Sequence, residues 1–222
     1  MKKKLEICAF NIEDCIKASK YKIDRIEFCR NKKEGGLSPK KSEIAKAIKF
    51  FPNIYPIIRP RRGNFIYSEE ELYKMVDLII FCKKVGCRGV VFGALNADNE
   101  IDKKKCKILL EQSGNMSTTF HKAFDEVKNS FKAIDDLIML GFNRVLTSGK
   151  EKSALKGIKM INNLAEKTYN KISIMPGGGI RSNNIKAFLD NKYLNEFHSS
   201  CIIDDTFSER EIENLIKRIS NV

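Results

Sequence analysis

The sequence predicts a parallel α/β fold, a closed (β/α)8 barrel formed as one domain over residues 1–222. Three observations predict it. Short apolar runs alternate with longer helical patterns along the whole chain, which implies parallel strands joined by right-handed crossovers. Eight such units follow one another, which points to a closed ring before an open sheet. A faint internal repeat aligns Val85-Gly86-Cys87-Arg88-Gly89-Val90 with Leu140-Gly141-Phe142-Asn143-Arg144-Val145. In both copies a glycine stands where a helix C-terminus needs a left-handed residue, and a strand follows. The architecture is that of the TIM barrel.

The strands expected are Leu5–Cys8, Arg25–Cys29, Ile54–Arg59, Gly89–Phe92, Thr118–His121, Arg144–Thr147, Ile172–Met175 and Glu196–Ser199. Helical patterns lie between them near 13–20, 40–50, 69–85, 103–113, 127–140, 151–168, 182–191 and 209–220. The third helix is the best marked. Ser68 precedes Glu69, Glu70 and Glu71, a cap followed by acids that suit a helix N-terminus. Leu72, Met75, Val76, Ile79 and Ile80 then recur on one buried face. No linker or low-complexity segment interrupts the pattern. The longest connection with special residues runs from Pro60 to Ser68.

Hydrophobic residues make up 42% of the chain and charged residues 31%, values that suit a soluble domain with a packed core. The basic start Met1-Lys2-Lys3-Lys4 is not followed by an apolar stretch of signal-peptide length, and no run spans a membrane. The expected location is the cytoplasm. Seven cysteines, an odd number without a CxxC pair, fit buried small hydrophobes such as Cys82 and Cys106 better than a disulfide framework. The net charge of +13 comes from lysines scattered over almost every helix. A scattered charge is a solvated surface and argues against a nucleic-acid footprint.

In this architecture function sits at the C-terminal ends of the strands. Strands one and two end alike, in Leu5-Glu6-Ile7-Cys8 and Ile26-Glu27-Phe28-Cys29. Alternation puts Glu6, Cys8, Glu27 and Cys29 inside and Leu5, Ile7, Ile26 and Phe28 against the helices. Two thiolates at matching heights suit a soft ion such as Cu(I); the bland alternative is a pair of inert buried thiols. Arg59 and Arg61 share a face after strand three, where they would pair with Glu27 or grip a carboxylate or phosphate. The two histidines, His121 and His198, both stand at strand ends, and His121 is the candidate acid–base group, with Asp125 to orient it or act as a second acid. Ser148 ends strand six, and Gly177, Gly178 and Gly179 end strand seven in a turn whose N–H groups suit an anion; the alternative there is a tight turn needing positive φ.

Taken in order, Leu5-Glu6-Ile7-Cys8, Asp24-Arg25-Ile26-Glu27-Phe28-Cys29, Gly35-Gly36-Leu37-Ser38-Pro39, Ile58-Arg59-Pro60-Arg61, Phe65-Ile66-Tyr67-Ser68, Phe120-His121-Lys122-Ala123-Phe124-Asp125, Leu146-Thr147-Ser148-Gly149 and Met175-Pro176-Gly177-Gly178-Gly179 resemble the CutC family of copper homeostasis proteins. The resemblance runs from about residue 5 to residue 200. It implies a cytosolic barrel, often a homo-oligomer, that handles copper, with the family's copper-binding cysteines falling on Cys8 and Cys29. Three positions depart from the family pattern: Asn11 for a serine, Lys122 for an arginine and Asn64 for an aspartate.

Two functions follow as expectations. One is Cu(I) binding by Cys8 and Cys29, with the copper ion as partner. The other is an enzyme acting on a small anionic or phosphorylated metabolite, held by Arg59, Arg61, Ser148 and the Gly177–Gly179 turn, with Glu27 and His121 moving a proton.

Overall fold

The computed structural model describes residues 2–221. Eight parallel strands form the ring: β1 (Lys4–Ala9), β2 (Arg25–Phe28), β3 (Ile54–Pro56), β4 (Gly89–Phe92), β5 (Ser117–Phe120), β6 (Arg144–Thr147), β7 (Ser173–Pro176) and β8 (Glu196–Ser199). Ladders run in the order β3-β2-β1-β8 and β4-β5-β6-β7. Ile57 pairs with Val91, and the Ile58 N–H donates to the Val91 carbonyl at 2.7 Å, which joins β3 to β4. β7 lies against β8 and completes the circuit. The fold is a (β/α)8 TIM barrel.

The helices form the outer layer: α1 (Ile12–Ser19), α2 (Lys41–Ala47), α3 (Glu69–Lys84), α4 (Lys103–Ser113), α5 (Ser130–Leu140), α6 (Ile158–Lys167), α7 (Lys186–Leu189) and α8 (Glu209–Ser220). The cap expected at Ser68 forms a full capping box with Glu71, each side chain satisfying the other's backbone N–H. Gly86 and Gly141 both take φ of 88°, the left-handed value the repeat requires.

Several boundaries differ from the sequence pattern. β3 ends at Pro56 instead of Arg59, because its partner changes there: Ile57 still donates to Phe28 on β2, while Ile58 donates to β4. α5 starts at Ser130 because the Asn129 side chain accepts from the N–H groups of Phe131 and Lys132. α6 starts at Ile158, seven residues later than its pattern. The preceding turns wrap the end of β6 so closely that a Cβ on Gly157 would lie 2.0 Å from the Ser148 carbonyl oxygen. α7 is a single turn, and the Asn184 side chain accepts from Arg181 N–H just before it. A small hairpin, β9 (Ile202–Ile203) and β10 (Thr206–Phe207), was not expected. Its turn uses Asp204 and Asp205 at φ of 45° and 59°, which Asp tolerates.

The barrel separates two buried layers. Leu5, Ile7, Ala9, Ile26 and Phe28 join the large core between strands and helices. Cys8, Cys29, Tyr55, Ile57 and Val91 form a separate apolar cluster inside. The alternation read from strands one and two is therefore the one the fold uses. All seven cysteines are free and buried.

Candidate functional site

The interior has two storeys. In the lower one, buried charges neutralise one another. The Arg25 Nε donates to Glu6 at 2.8 Å, its Nη2 pairs with Glu196, and Arg144 Nε reaches Glu196 at 3.1 Å. Both guanidinium groups stand 5.6 Å from the Tyr55 ring centroid. Burial would push the Glu6 carboxyl up, but Arg25 and His198 hold it down at about 2. His198 Nδ1 lies 2.7 Å from Glu6 Oε1 because β8 pairs with β1 at that register. Burial works against a charge on His198, yet Glu27 and Glu6 keep its pKa well above the usual value.

The upper storey, at the C-terminal strand ends, is different. Cys8 stands beside Glu27 in the β1–β2 register, and the Cys29 N–H donates to the Ala9 carbonyl at 2.9 Å. These pairings bring the two Sγ atoms to 3.3 Å and Cys8 Sγ to 3.4 Å from Glu27 Oε1. Cys8 is held protonated by its contact with Cys29, by burial and by Glu27; Cys29 is pushed up chiefly by burial. Glu27 is pushed up to about 7 by burial, against the opposing pull of His198. Its second oxygen, Oε2, is buried and bonds to nothing.

His121 faces the same space from the end of β5. Gly93 makes room for it, since a Cβ there would sit 2.8 Å from the imidazole Nδ1. Nδ1 accepts the Ala123 N–H at 3.3 Å, so the ring proton belongs on Nε2. Burial, aided by Arg59, lowers its pKa to about 3, and the ring is neutral. Nε2 is buried without a partner. Arg59 is pinned by backbone carbonyls: Nη1 donates to Glu34 at 2.9 Å and Gly36 at 3.2 Å, and Nη2 to Gly63 at 3.1 Å. Its Nε is buried and unpartnered. The Phe65 ring connects the two, 4.7 Å from the guanidinium carbon and 4.8 Å from the His121 ring. Cys8, Glu27, Arg59, His121, Lys122, Gly178, Gly179 and His198 line one cavity of about 190 Å³, whose apolar wall includes Phe10, Ile57, Phe65 and Leu146.

Other expected residues are placed elsewhere. Arg61 does not enter the mouth; its Nε donates to Glu71 and its Nη2 to the Ile66 carbonyl, which staples the loop to α3. Alternation fails for it because the strand has already ended. The Arg59–Glu27 pairing is likewise not formed, since loop carbonyls take Arg59 instead. Asp125 does not orient His121. It accepts from Ser148 N–H and Oγ, from Thr147 Oγ1 and from Lys150 N–H, so an internal carboxylate fills the donor nest after β6, and Ser148 is engaged there. Gly178 and Gly179 border the cavity. His198, Phe10, Phe65 and Lys122 were not singled out as site residues in the sequence. His198 stood at a strand end, the one signal that could have found it.

Among the described residues, two groups of side chains bring possible metal-ligand atoms within 4.8 Å of one another: Cys8, Glu27 and Cys29, and Glu6, Glu27 and His198. The second is committed, because Glu6 and His198 bond each other and Arg25 adds a positive charge. The first pairs two soft sulfurs with an acid that has a free oxygen.

A parallel barrel with reactive side chains gathered at its C-terminal mouth belongs to the class of TIM-barrel proteins whose function lies at that face. Within that class, this chain belongs to the CutC family, whose profile matches residues 3–203. A CutC family protein of Parabacteroides distasonis is 41% identical over 202 residues, covering 90% of this chain and 83% of that relative. The copper homeostasis protein cutC homolog of Homo sapiens is 39% identical over 198 residues, covering 88% of this chain and 72% of its own. The crystal structure of CutC from Streptococcus agalactiae superposes with a TM-score of 0.84 at 32% identity, covering 89% of this chain and 98% of that one.

Proposed function

We propose that this protein handles copper and takes Cu(I) at Cys8 and Cys29, inside the cytoplasm and as a homo-oligomer. The observation that carries the reading is the 3.3 Å contact between two buried, free thiols on adjacent strands. Thiolates prefer soft Cu(I) over hard divalent ions. Seven unpaired cysteines suit a reducing compartment. The name of the human relative supports the copper assignment.

The geometry favours a bent site. With metal–sulfur bonds of about 2.3 Å, a tetrahedral angle separates two sulfurs by roughly 3.8 Å and a linear one by roughly 4.6 Å. The thiols part least for the bent arrangement, and Glu27 Oε1, 3.4 Å from Cys8 Sγ, is near enough to serve as a third ligand. Because both thiols are held protonated, loading releases two protons and tightens as pH rises. A Cu(I) titration against a competing chelator tests this. About one ion per chain binds to the native protein, and Cys8→Ser with Cys29→Ser abolishes tight binding. An unchanged titration in the double variant removes the reading.

A second reading has its own observation: Glu27 Oε2, Arg59 Nε and His121 Nε2 are buried without partners. Their residues line one cavity. Buried polar atoms are almost always satisfied, so three in one place suit a ligand. In this reading the mouth belongs to an enzyme acting on a small anionic metabolite, with Glu27 and His121 as its acid–base groups. Neutral His121 acts through Nε2–H as a donor. Stabilisation of the native protein, but not of Arg59→Ala, by a small anionic metabolite supports it; a broad screen without any thermal shift ends it.

A further inference from the structure

The unpartnered atoms of the mouth differ in kind, and the difference specifies a ligand. Two are donors. His121 Nε2 carries the ring proton because Nδ1 accepts the Ala123 N–H. Arg59 Nε–H is the only nitrogen of that guanidinium left without an acceptor, its other two being bound to loop carbonyls. Phe65 lies against both groups. The third atom, Glu27 Oε2, is an acceptor when the acid is ionised and a donor when it is not. A ligand hydroxyl serves it in either state, because a hydroxyl both donates and accepts.

Charge narrows the choice. His121 is neutral, His198 is a buried cation already paired with Glu6, and Arg59 is the buried cation of the wall that no carboxylate pairs, with Lys122 exposed at the rim and 3.7 Å from Asp125. Two donors and one buried positive charge match the two oxygens of a monoanionic carboxylate. A phosphate dianion brings three acceptor oxygens and more charge than this wall neutralises. The β6 donor nest that could have taken a phosphate is already filled by Asp125. Size narrows it further. A cavity of about 190 Å³ lies below the roughly 300–1,000 Å³ of sites for drug-sized molecules, which leaves room for a few carbon atoms against Ile57, Phe65 and Leu146.

We propose that the mouth binds a small 2-hydroxycarboxylate, its carboxylate taken by His121 Nε2–H and Arg59 Nε–H and its hydroxyl by Glu27 Oε2. The inference rests on the small-anion reading above and names its chemical class. Its two carboxylate donors lie outside the Cys8–Glu27–Cys29 group, and only the hydroxyl contact shares Glu27 with that group.

The test uses the full-length, copper-free protein with glycolate, lactate, acetate and inorganic phosphate as probes, read by thermal shift and calorimetry. Glycolate and lactate raise the melting temperature and bind about tenfold more tightly than acetate, the effect of one buried hydrogen bond. Glu27→Ala removes the preference over acetate. His121→Phe loses all three carboxylates, while His121→Gln, which restores an N–H, recovers binding. A single cooperative thermal unfolding transition in each variant shows that it is folded. Hydroxy acids binding equally well to His121→Phe overturn the proposal. Phosphate binding without any hydroxy-acid binding overturns it too, yet leaves the small-anion reading standing. Silence from all four probes overturns it, and a wider anion screen equally silent ends that reading as well.

Discussion

Near the N-terminal ends of the strands, Glu6, Glu196, Arg25 and Arg144 satisfy one another and stack on Tyr55. One storey up, Glu27, Arg59 and His121 are just as buried, and each keeps an atom without a partner. The same ring of parallel strands holds both sets. The lower set is what a barrel does with buried charge when nothing else is asked of it. The upper set leaves hydrogen-bonding capacity unused on the wall of one cavity, as the proposed ligand site requires.

The comparison can be broken from below. Arg25→Met leaves Glu6 and Glu196 short of their shared cation, and breaking such a buried network costs about 3–5 kcal/mol of stability. Urea denaturation reads the effect, and a loss under about 1 kcal/mol would mean that the lower storey is not a closed network.

The upper storey sharpens the contrast through pH. Glu27 titrates at about 7 in the folded chain and near 4.5 when exposed. Between those values the folded state binds the extra proton, so its stability falls as pH rises through that window. Glu27→Gln removes the decline. Relative to its own difference at pH 4, the variant gains up to about 3 kcal/mol over the native protein by pH 8. Parallel stability curves for the two would show that the buried acid is ordinary.

The smallest effect lies outside both storeys. Arg61 is half-buried and tied to Glu71 on the rim. Arg61→Ala costs about 1 kcal/mol at most and leaves Cu(I) affinity unchanged. A loss of copper affinity there would return Arg61 to the mouth, where alternation first placed it.

That misplacement shows what a sequence carries and where it stops. Within β1 and β2, alternation alone put Glu6, Cys8, Glu27 and Cys29 on the inner face, because period two holds as long as the ladder does. Past Pro56 the ladder changes partner, and the same rule gave Arg61 a direction it does not take. Arg59 was placed at the mouth by position, yet its restraint by the carbonyls of Glu34, Gly36 and Gly63 comes from loops whose paths no periodicity records. The pairing of Arg25 with Glu196 joins the two ends of the chain and depends on the stagger that closes the ring. His198 stood at a strand end, but its partnership with Glu6 needed the β1–β8 register. Asp125 looked like a helper for His121 from their closeness in sequence; the fold gave its carboxylate to the N–H groups after β6 instead.

Copper K-edge absorption of the Cu(I)-loaded protein measures the central claim directly. Two sulfur neighbours, reduced to none in Cys8→Ser with Cys29→Ser, are the result expected from the paired thiols. A coordination sphere of nitrogen and oxygen alone, unchanged by that double substitution, would contradict the account.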